Sequence, residues 1–336
     1  MGWFKIHGAA IAAAALLSAG VAAADTFRWI TYKPEGAGDA QTRSTKWFVE
    51  EFAKRTGGKH RIQVFWGGSV AKTGEVPNAL GAGLGDFGDV VTPYFPDRFP
   101  LNNAVGFFIP QPHGILKIAE LLEGWHKTHP QFEQELSRAK LKVVGWRPLE
   151  EYGLLCNKPV RSVAELKGLR IRSYGFAYPR LISAIGATPV SMKTEDTYEA
   201  LERKILDCTP IGISLARGWK YDEVAKYYIR YPFGASFGHL VSMNLATYNK
   251  LDGPTRAVVD AIGREYVSVY NRMVEEDIEA VMAHWKKTGV EVIDFDYGDI
   301  KALMANPGIV AVRKTWADKA RSLGVDPEPI LQQLRF

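Results

Sequence analysis

Apolar and polar positions switch between two periods along most of the chain. In HRIQVFW, Ile62, Val64 and Trp66 recur every second residue, as one face of a half-buried strand does. In STKWFVEEFAKRTGG, Phe48 and Phe52 stand one turn apart, which predicts a helix stopped by Gly57-Gly58. Val76, Leu80 and Leu84 predict a short helix, and FGDVVTPY a buried strand ended by Pro93. After a proline-rich connection from Pro93 to Pro112 the pattern resumes. It gives a helical stretch over 115–139 interrupted near Pro130, then consecutive strands in KLKVVGWR and EYGLLCNK. Ser162 to Glu165 has capping-box spacing and opens one helical turn closed by Gly168; strand Leu169–Ser173 and a helix to Ile185 follow. TEDTYEALERKILD predicts a helix with Thr194 as N-cap and an apolar stripe of Tyr198, Leu201 and Ile205. The longest predicted element, 254–287, starts at Pro254 and stops before Gly289. At 1.5 Å per residue it spans roughly 50 Å, more than one lobe, so it is expected to pack along two. VEVIDF adds one strand and two helices end the chain. Alternating strands and helices of this kind give an α/β protein with two lobes.

The first 24 residues change the picture of where the protein works. Lys5 precedes an apolar run from Gly8 to about Val21, and Ala22-Ala23-Ala24 fits the small-x-small rule for cleavage before Asp25. The run is about 14 residues, short of the roughly 20 a spanning helix needs, so a cleaved signal peptide over 1–24 and a periplasmic location are expected. The remaining chain of about 310 residues exceeds one ordinary core. The net charge of +5 is spread along the sequence and says little about partners; export and the lack of a basic run or RNA-binding motif argue against nucleic acid. Cys156 and Cys208 lie outside any C-x-x-C spacing. An oxidising compartment permits a disulfide between them, but their strand-like surroundings favour buried free thiols.

Motifs that carry chemistry are weak. Gly83 to Gly88 matches G-x-G-x-x-G, but a helix precedes it and a strand follows, the reverse of a dinucleotide site. Ser69 and Lys72 match S-x-x-K and Lys287-Thr288-Gly289 matches K-T-G, the outline of a penicillin-recognising serine hydrolase, yet no S-D-N element accompanies them. His126 and His129 have metal-compatible spacing without a third ligand and read as solvated or capping residues. No catalytic residue, metal or cofactor is expected. Arginine beside aromatic residues at strand ends is the positive signal. Arg147 follows Trp146 in VVGWRP, and Arg172 precedes Tyr174 and Phe176 in LRIRSYGF. A guanidinium offers a planar two-pronged donor that matches a carboxylate and stays charged at any physiological pH.

SVAELKGLRIRSYG, followed by IGATPVSMKTEDTYEALERKILD, resembles the central block of solute-binding proteins of tripartite ATP-independent periplasmic (TRAP) transporters, the DctP-like family. The resemblance extends upstream to GEVPNALGAGLGDFGDV and downstream to HLVSMNLATYNKL. It implies a two-lobed periplasmic binding-protein fold, with crossing strands as hinge and a long helix spanning both lobes. The expected division is 25–146 plus about 239–278 for lobe I, and about 147–238 plus about 279–336 for lobe II. It also implies a monomeric binding protein, not an enzyme, that closes over a small organic acid and delivers it to the transporter's membrane subunits. The family's carboxylate-clamping position falls on Arg172 and a second arginine on Arg147, whereas Arg170 occupies a solvated position. In place of the D-G-x-E-N of many members this chain has Asp207 to Gly212, DCTPIG, which argues against a sugar acid. An apolar or aromatic monocarboxylate, such as a 2-oxo or 2-hydroxy acid, is expected. Trp66, Trp146, Tyr174, Phe176, Thr209 and Phe237 complete the candidate wall. The alternatives are the serine hydrolase of Ser69 and Lys72, and a ligand sensor for a membrane receptor.

Overall fold

The structure, a computed structural model, describes residue 1 and residues 25–230, 234, 238–295 and 304–334. The expected signal peptide, apart from Met1, and Phe237 lie outside the described residues. Two sheets form the frame. The first contains β1 (Asp25–Ile30), β2 (His60–Phe65), β3 (Phe87–Val91), β4 (Leu141–Pro148) and β10 (Gly238–Asn244), in the order β2-β1-β3-β10-β4. The second contains β5 (Gly153–Cys156), β6 (Arg170–Ser173), β7 (Thr188–Ser191), β8 (Cys208–Ile211), β9 (Tyr227–Ile229) and β11 (Glu291–Ile293), in the order β11-β9-β5-β8-β6-β7. Helices cover both, as the sequence pattern predicts for this class.

The chain passes from the first sheet to the second between β4 and β5, and returns between β9 and β10. The two passages touch, because the Tyr152 N–H donates to the Gly234 carbonyl. The third link is helix α10 (Gly253–Thr288), 36 residues long. Its start is fixed by Asp252, whose side chain accepts from the Thr255 N–H, and its end by Gly289 in the left-handed region at φ 76°. Val259, Ile262, Tyr266, Tyr270 and Val274 sit in the first lobe's core, with Trp29, Phe48 and Phe87. Val281 and Trp285 sit in the second lobe's core, with Leu154, Ile171 and Tyr228. One helix therefore shares its apolar stripe between both cores. Gly263 lets it lie close on β4, since a Cβ there would be 1.8 Å from the Val144 carbonyl oxygen.

Two expectations are corrected. The stripe through Ile205 fails because helix α6 (Thr197–Glu202) ends early. Lys204 takes a left-handed backbone at φ 55°, which turns Ile205 outward to 47% exposure, and Thr197, Ala200 and Leu201 face inward instead. The terminal helices α11 (Pro307–Ser322) and α12 (Glu328–Gln333) pack beside residues 101–132, and α11 also packs on the helix Ala177–Ala184 between β6 and β7. The Trp316 indole N–H donates to the Pro100 carbonyl there, and that of Trp125 to the Gln333 side chain. The cysteines are not free thiols: Cys156 on β5 faces Cys208 on β8 directly, with Cα atoms 4.0 Å apart, and the two form a disulfide. Antiparallel register brings them together, which spacing in the sequence does not reveal.

The disulfide closes a loop across 52 residues. Replacing both cysteines with alanine is expected to cost roughly 2–4 kcal/mol through the freed unfolded chain. Guanidinium unfolding of the double variant against the oxidised wild type measures it.

Candidate ligand-binding site

The two lobes meet over a cavity of about 20 Å³ lined from both sides. The first lobe supplies Tyr32, Gln41, Val91, Tyr94 and His239; the second supplies Tyr152, Arg172, Tyr174, Thr194, Ile211 and Trp219, among others. Space of this size takes about one water. Any organic ligand must therefore enter with the lobes further apart.

Arg172 is the chemical centre. It lies near the end of β6 and is 2% exposed. Its Nη2 donates to the Tyr94 and Thr194 hydroxyls, 3.0 Å each, and its Nε to the Met192 carbonyl at 3.2 Å. The guanidinium also stands 4.4 Å from the Tyr174 ring centroid. All of these partners are neutral, and among the described residues no carboxylate lies within ion-pair distance of it. Burying a charge without a counter-charge costs several kcal/mol, so this arrangement is primed for an anion.

Other buried cations near the cavity are already paired. Lys33 forms an ion pair with Asp39, and both are almost fully buried. Lys33 Nζ also stands 4.5 Å from the Trp219 ring centroid, on the other lobe. Burial lowers the pKa of Lys33 while Asp39 opposes that shift. Arg147 is 0% exposed, with Nη2 2.6 Å from Asp89 and Nη1 donating to Thr45 and Tyr266. The expected second clamp is thus committed to Asp89 and does not line the cavity. His239, opposite Arg147 in the β4–β10 ladder, is 2% exposed. Burial first, then the charges of Arg147 and Lys33, hold its pKa well below the usual histidine range, so the ring is neutral. Burial raises the pKa of Tyr32, Tyr174 and Tyr221, which stay uncharged phenols.

The remaining expected residues are dispersed. Tyr174 lines the cavity. Trp146 faces away from Arg147 on β4, as strand alternation requires, and its ring packs at 4.8 Å against His126 on the outer side. Phe176 stacks on Phe107 at 5.0 Å beneath the Arg180 guanidinium. Trp66 stands beside Lys46 at the end of β2. Thr209 is fully buried on β8, one pleat deeper than Ile211, and it is Ile211 that reaches the cavity. Arg170 is exposed and paired with Asp207 at 3.1 Å. Ser69 and Lys72 are both exposed in the turn before α2 (Val76–Gly81), away from the cavity. His126 is held between Asn102 and Glu133. Sequence reading missed Tyr32, Gln41, Tyr94, Thr194, Trp219 and His239. Thr194 looked like a helix cap; its hydroxyl instead contacts Arg172 and Tyr94.

Contacts between the lobes surround the cavity. Thr73 donates to both oxygens of Glu195 at 3.0 Å, and Tyr32 stacks on Trp219 at 6.2 Å. Gly218 ends helix α7 (Ile213–Gly218) against Asp39, where a Cβ would be 2.3 Å from the carboxylate. Asp277 of α10 accepts from the Ala40 N–H and the Ser214 hydroxyl, one from each lobe. Glu150, in the passage between β4 and β5, accepts from the Ser214 and Leu215 N–H groups. Burial pushes its pKa up to about 8 although those donors pull it down.

The sequence profile of the bacterial extracellular solute-binding proteins, family 7 (DctP), matches residues 33–310. A solute-binding protein of Albidiferax ferrireducens is 23% identical over 288 residues, 84% of this chain and 82% of its own. The 2,3-diketo-L-gulonate-binding periplasmic protein YiaO of Escherichia coli is 25% identical over 266 residues, 76% of this chain and 77% of its own. A crystal structure of a TRAP periplasmic solute-binding protein from Bordetella bronchiseptica, with bound (R)- and (S)-mandelate, superposes with a TM-score of 0.79 at 20% identity. That match covers 92% of this chain and 97% of the other.

The raised pKa of Glu150 means the folded chain holds a proton that the unfolded chain has released above its ordinary carboxyl pKa. This contribution is complete below roughly pH 4.5 and is lost as pH rises through about 8. Urea unfolding between pH 5 and pH 8.5 is expected to show that downward slope relative to Glu150→Gln, which removes the titration; identical slopes would refute it.

Proposed function

The chain is a member of the bacterial extracellular solute-binding proteins of family 7, and we propose that it captures a small organic monocarboxylate in the periplasm and hands it to the membrane subunits of a TRAP transporter. The buried Arg172, held among the described residues by neutral oxygens and a tyrosine ring, carries this reading. A ligand carboxylate would supply the missing counter-charge in bidentate form. A single carboxylate is favoured because Lys33 and Arg147 already hold Asp39 and Asp89, which leaves one cation for the ligand among the described residues.

Tyr32, Tyr94, Tyr152, Tyr174 and Trp219 would enclose the ligand body with aromatic surface. The relatives' ligands, a diketo sugar acid and an aromatic hydroxy acid, share the carboxylate and support that class. Binding begins with the lobes apart and Arg172 hydrated. Closure would then bring Tyr94 of lobe I onto the Arg172 side of lobe II, excluding water. The lobes are proposed as 25–146 with about 239–278, and about 147–238 with about 279–336. A leader cleaved before Asp25 would deliver the protein to the periplasm, where it would work as a monomer.

A thermal-shift screen of organic acids on the protein from Asp25 onward identifies ligands, since binding raises apparent stability with concentration over Kd. For a ligand so found, Arg172→Ala should weaken binding about a hundredfold or more. Arg172→Lys should fail as well, because it lacks the planar fork. Arg172→Met should leave the unliganded protein at least as stable as wild type, since it removes a buried charge without a counter-ion. Wild-type affinity in the alanine variant, measured by calorimetry, would falsify the clamp.

A further inference from the structure

Two polar atoms on the first lobe's side of the cavity lack a hydrogen-bond partner among the described residues: Oε1 of Gln41 and Nδ1 of His239. Each residue is 2% exposed, so bulk solvent does not reach it in this arrangement. Both belong to rigid elements. Gln41 is in the first turn of α1 (Ala40–Arg55), its backbone carbonyl oxygen accepting from the Ser44 and Thr45 hydroxyls. His239 is in β10, paired with Val91 and Arg147 on either side. Buried polar atoms without partners are uncommon in folded proteins and each calls for a cause. Two of them on one wall of one small cavity, facing a cation on the other lobe, have one economical cause.

We infer that the ligand carries, besides its carboxylate, a hydrogen-donating group on its body, a hydroxyl or an N–H, which Gln41 and His239 receive. This rests on the monocarboxylate reading and sharpens it. Oε1 of the Gln41 side chain can only accept, so the ligand group that meets it must donate. The neutral His239 ring has one N–H and one bare nitrogen, and can serve a hydroxyl in either role. A hydroxyl satisfies both residues at once, by donating to Gln41 and accepting from or donating to His239. A ketone cannot donate and would leave Gln41 unsatisfied. A second carboxylate is disfavoured, because it too only accepts and this wall offers no unpaired cation: Lys33 is held by Asp39 and Arg147 by Asp89. The ligand's two ends then fall on different lobes, with the carboxylate on Arg172 and the donor on Gln41 and His239. Molecules with only one of these groups would engage one lobe and favour closure less.

The test uses matched acids on one skeleton: propionate, lactate and pyruvate; phenylacetate, mandelate and phenylglyoxylate; cyclopentanecarboxylate and pyroglutamate. Calorimetry on wild type, Gln41→Leu, His239→Phe and Arg172→Met gives affinity ratios within each set. On any skeleton that binds, the hydroxy or N–H member is expected to be at least about tenfold tighter than its unsubstituted and keto counterparts. Gln41→Leu and His239→Phe should compress that ratio, with folding checked by circular dichroism. Equal affinity for the unsubstituted or keto acid in wild type overturns the inference. So does a ratio unchanged in both variants. If those ratios stay unchanged while Arg172→Met abolishes binding, the donor assignment alone fails. Binding that survives Arg172→Met, or no binding by any acid at millimolar concentration, fails the carboxylate reading itself.

Discussion

One guanidinium with no carboxylate against it among the described residues organises this molecule. Arg172 is buried where a positive charge is costly, and its described neighbours supply oxygen atoms but no opposite charge. Nearby cations are balanced inside the protein: Lys33 by Asp39, Arg147 by Asp89. His239 adds no charge, because burial and those same cations keep it neutral. The tyrosines add none, because burial keeps them protonated. The cavity therefore has the electrostatics of one fixed positive centre in a neutral, largely aromatic wall. Neutralising Lys33 and Arg147 internally is what makes that centre selective, since unpaired they would draw anions of higher charge.

Placing the centre between two lobes needs a frame that keeps both walls in register while they move. Helix α10 does this by lending its first turns to one core and its last turns to the other. Asp277 on that helix bonds the start of α1 and Ser214 of α7, and Glu150 caps the same end of α7 from the crossing passage. These groups sit beside the cavity rather than in it, so they position the walls without competing for the ligand. The disulfide between β5 and β8 stiffens the second sheet three residues from Ile211, which is itself part of the wall on β8.

The sequence made the frame readable because its signals are local. Strand alternation, the helix over 254–287 and the arginine at the end of β6 each depend on residues within a few positions of one another. What failed depended on distant neighbours. Arg147 and Arg172 look alike in sequence, each at a strand end beside aromatic residues, and Asp89 on β3, across β10 from β4, is what separates them. Thr194 carries a cap-like pattern, and its bond to Arg172 needs the fold of the second lobe; Tyr94 sits in a proline-rich stretch with no periodicity and reaches both only where the lobes meet. Gln41 carries no signal in the sequence that sets it apart from other polar residues. The aromatic candidates failed for a related reason: Trp146, Phe176 and Trp66 have the right chemistry on the wrong face, and face is set by register and lobe contact. The cysteines were misjudged because pairing needs the β5–β8 register.

On the proposed function, the same charge that recognises the ligand also governs closure. With the lobes apart, water solvates Arg172 and burial costs nothing. With the lobes together, Tyr94 and Thr194 cover it and water is gone, so closing over an uncompensated guanidinium carries a penalty of several kcal/mol. The contacts between Thr73 and Glu195, Tyr32 and Trp219, and Gly218 and Asp39 favour closure whether or not a ligand is present. If they greatly exceeded that penalty, the protein would close empty and its affinity would fall by the fraction of open molecules able to admit a ligand. If they fell far short, even the correct acid would not hold the lobes together. A ligand carboxylate cancels the penalty, and a donor group that fills Gln41 and His239 removes a second, smaller one on the opposite wall. Both terms appear only when the lobes close on a molecule with both groups. Discrimination and conformational change then draw on the same few buried polar atoms, and a substitution at any of them alters both together.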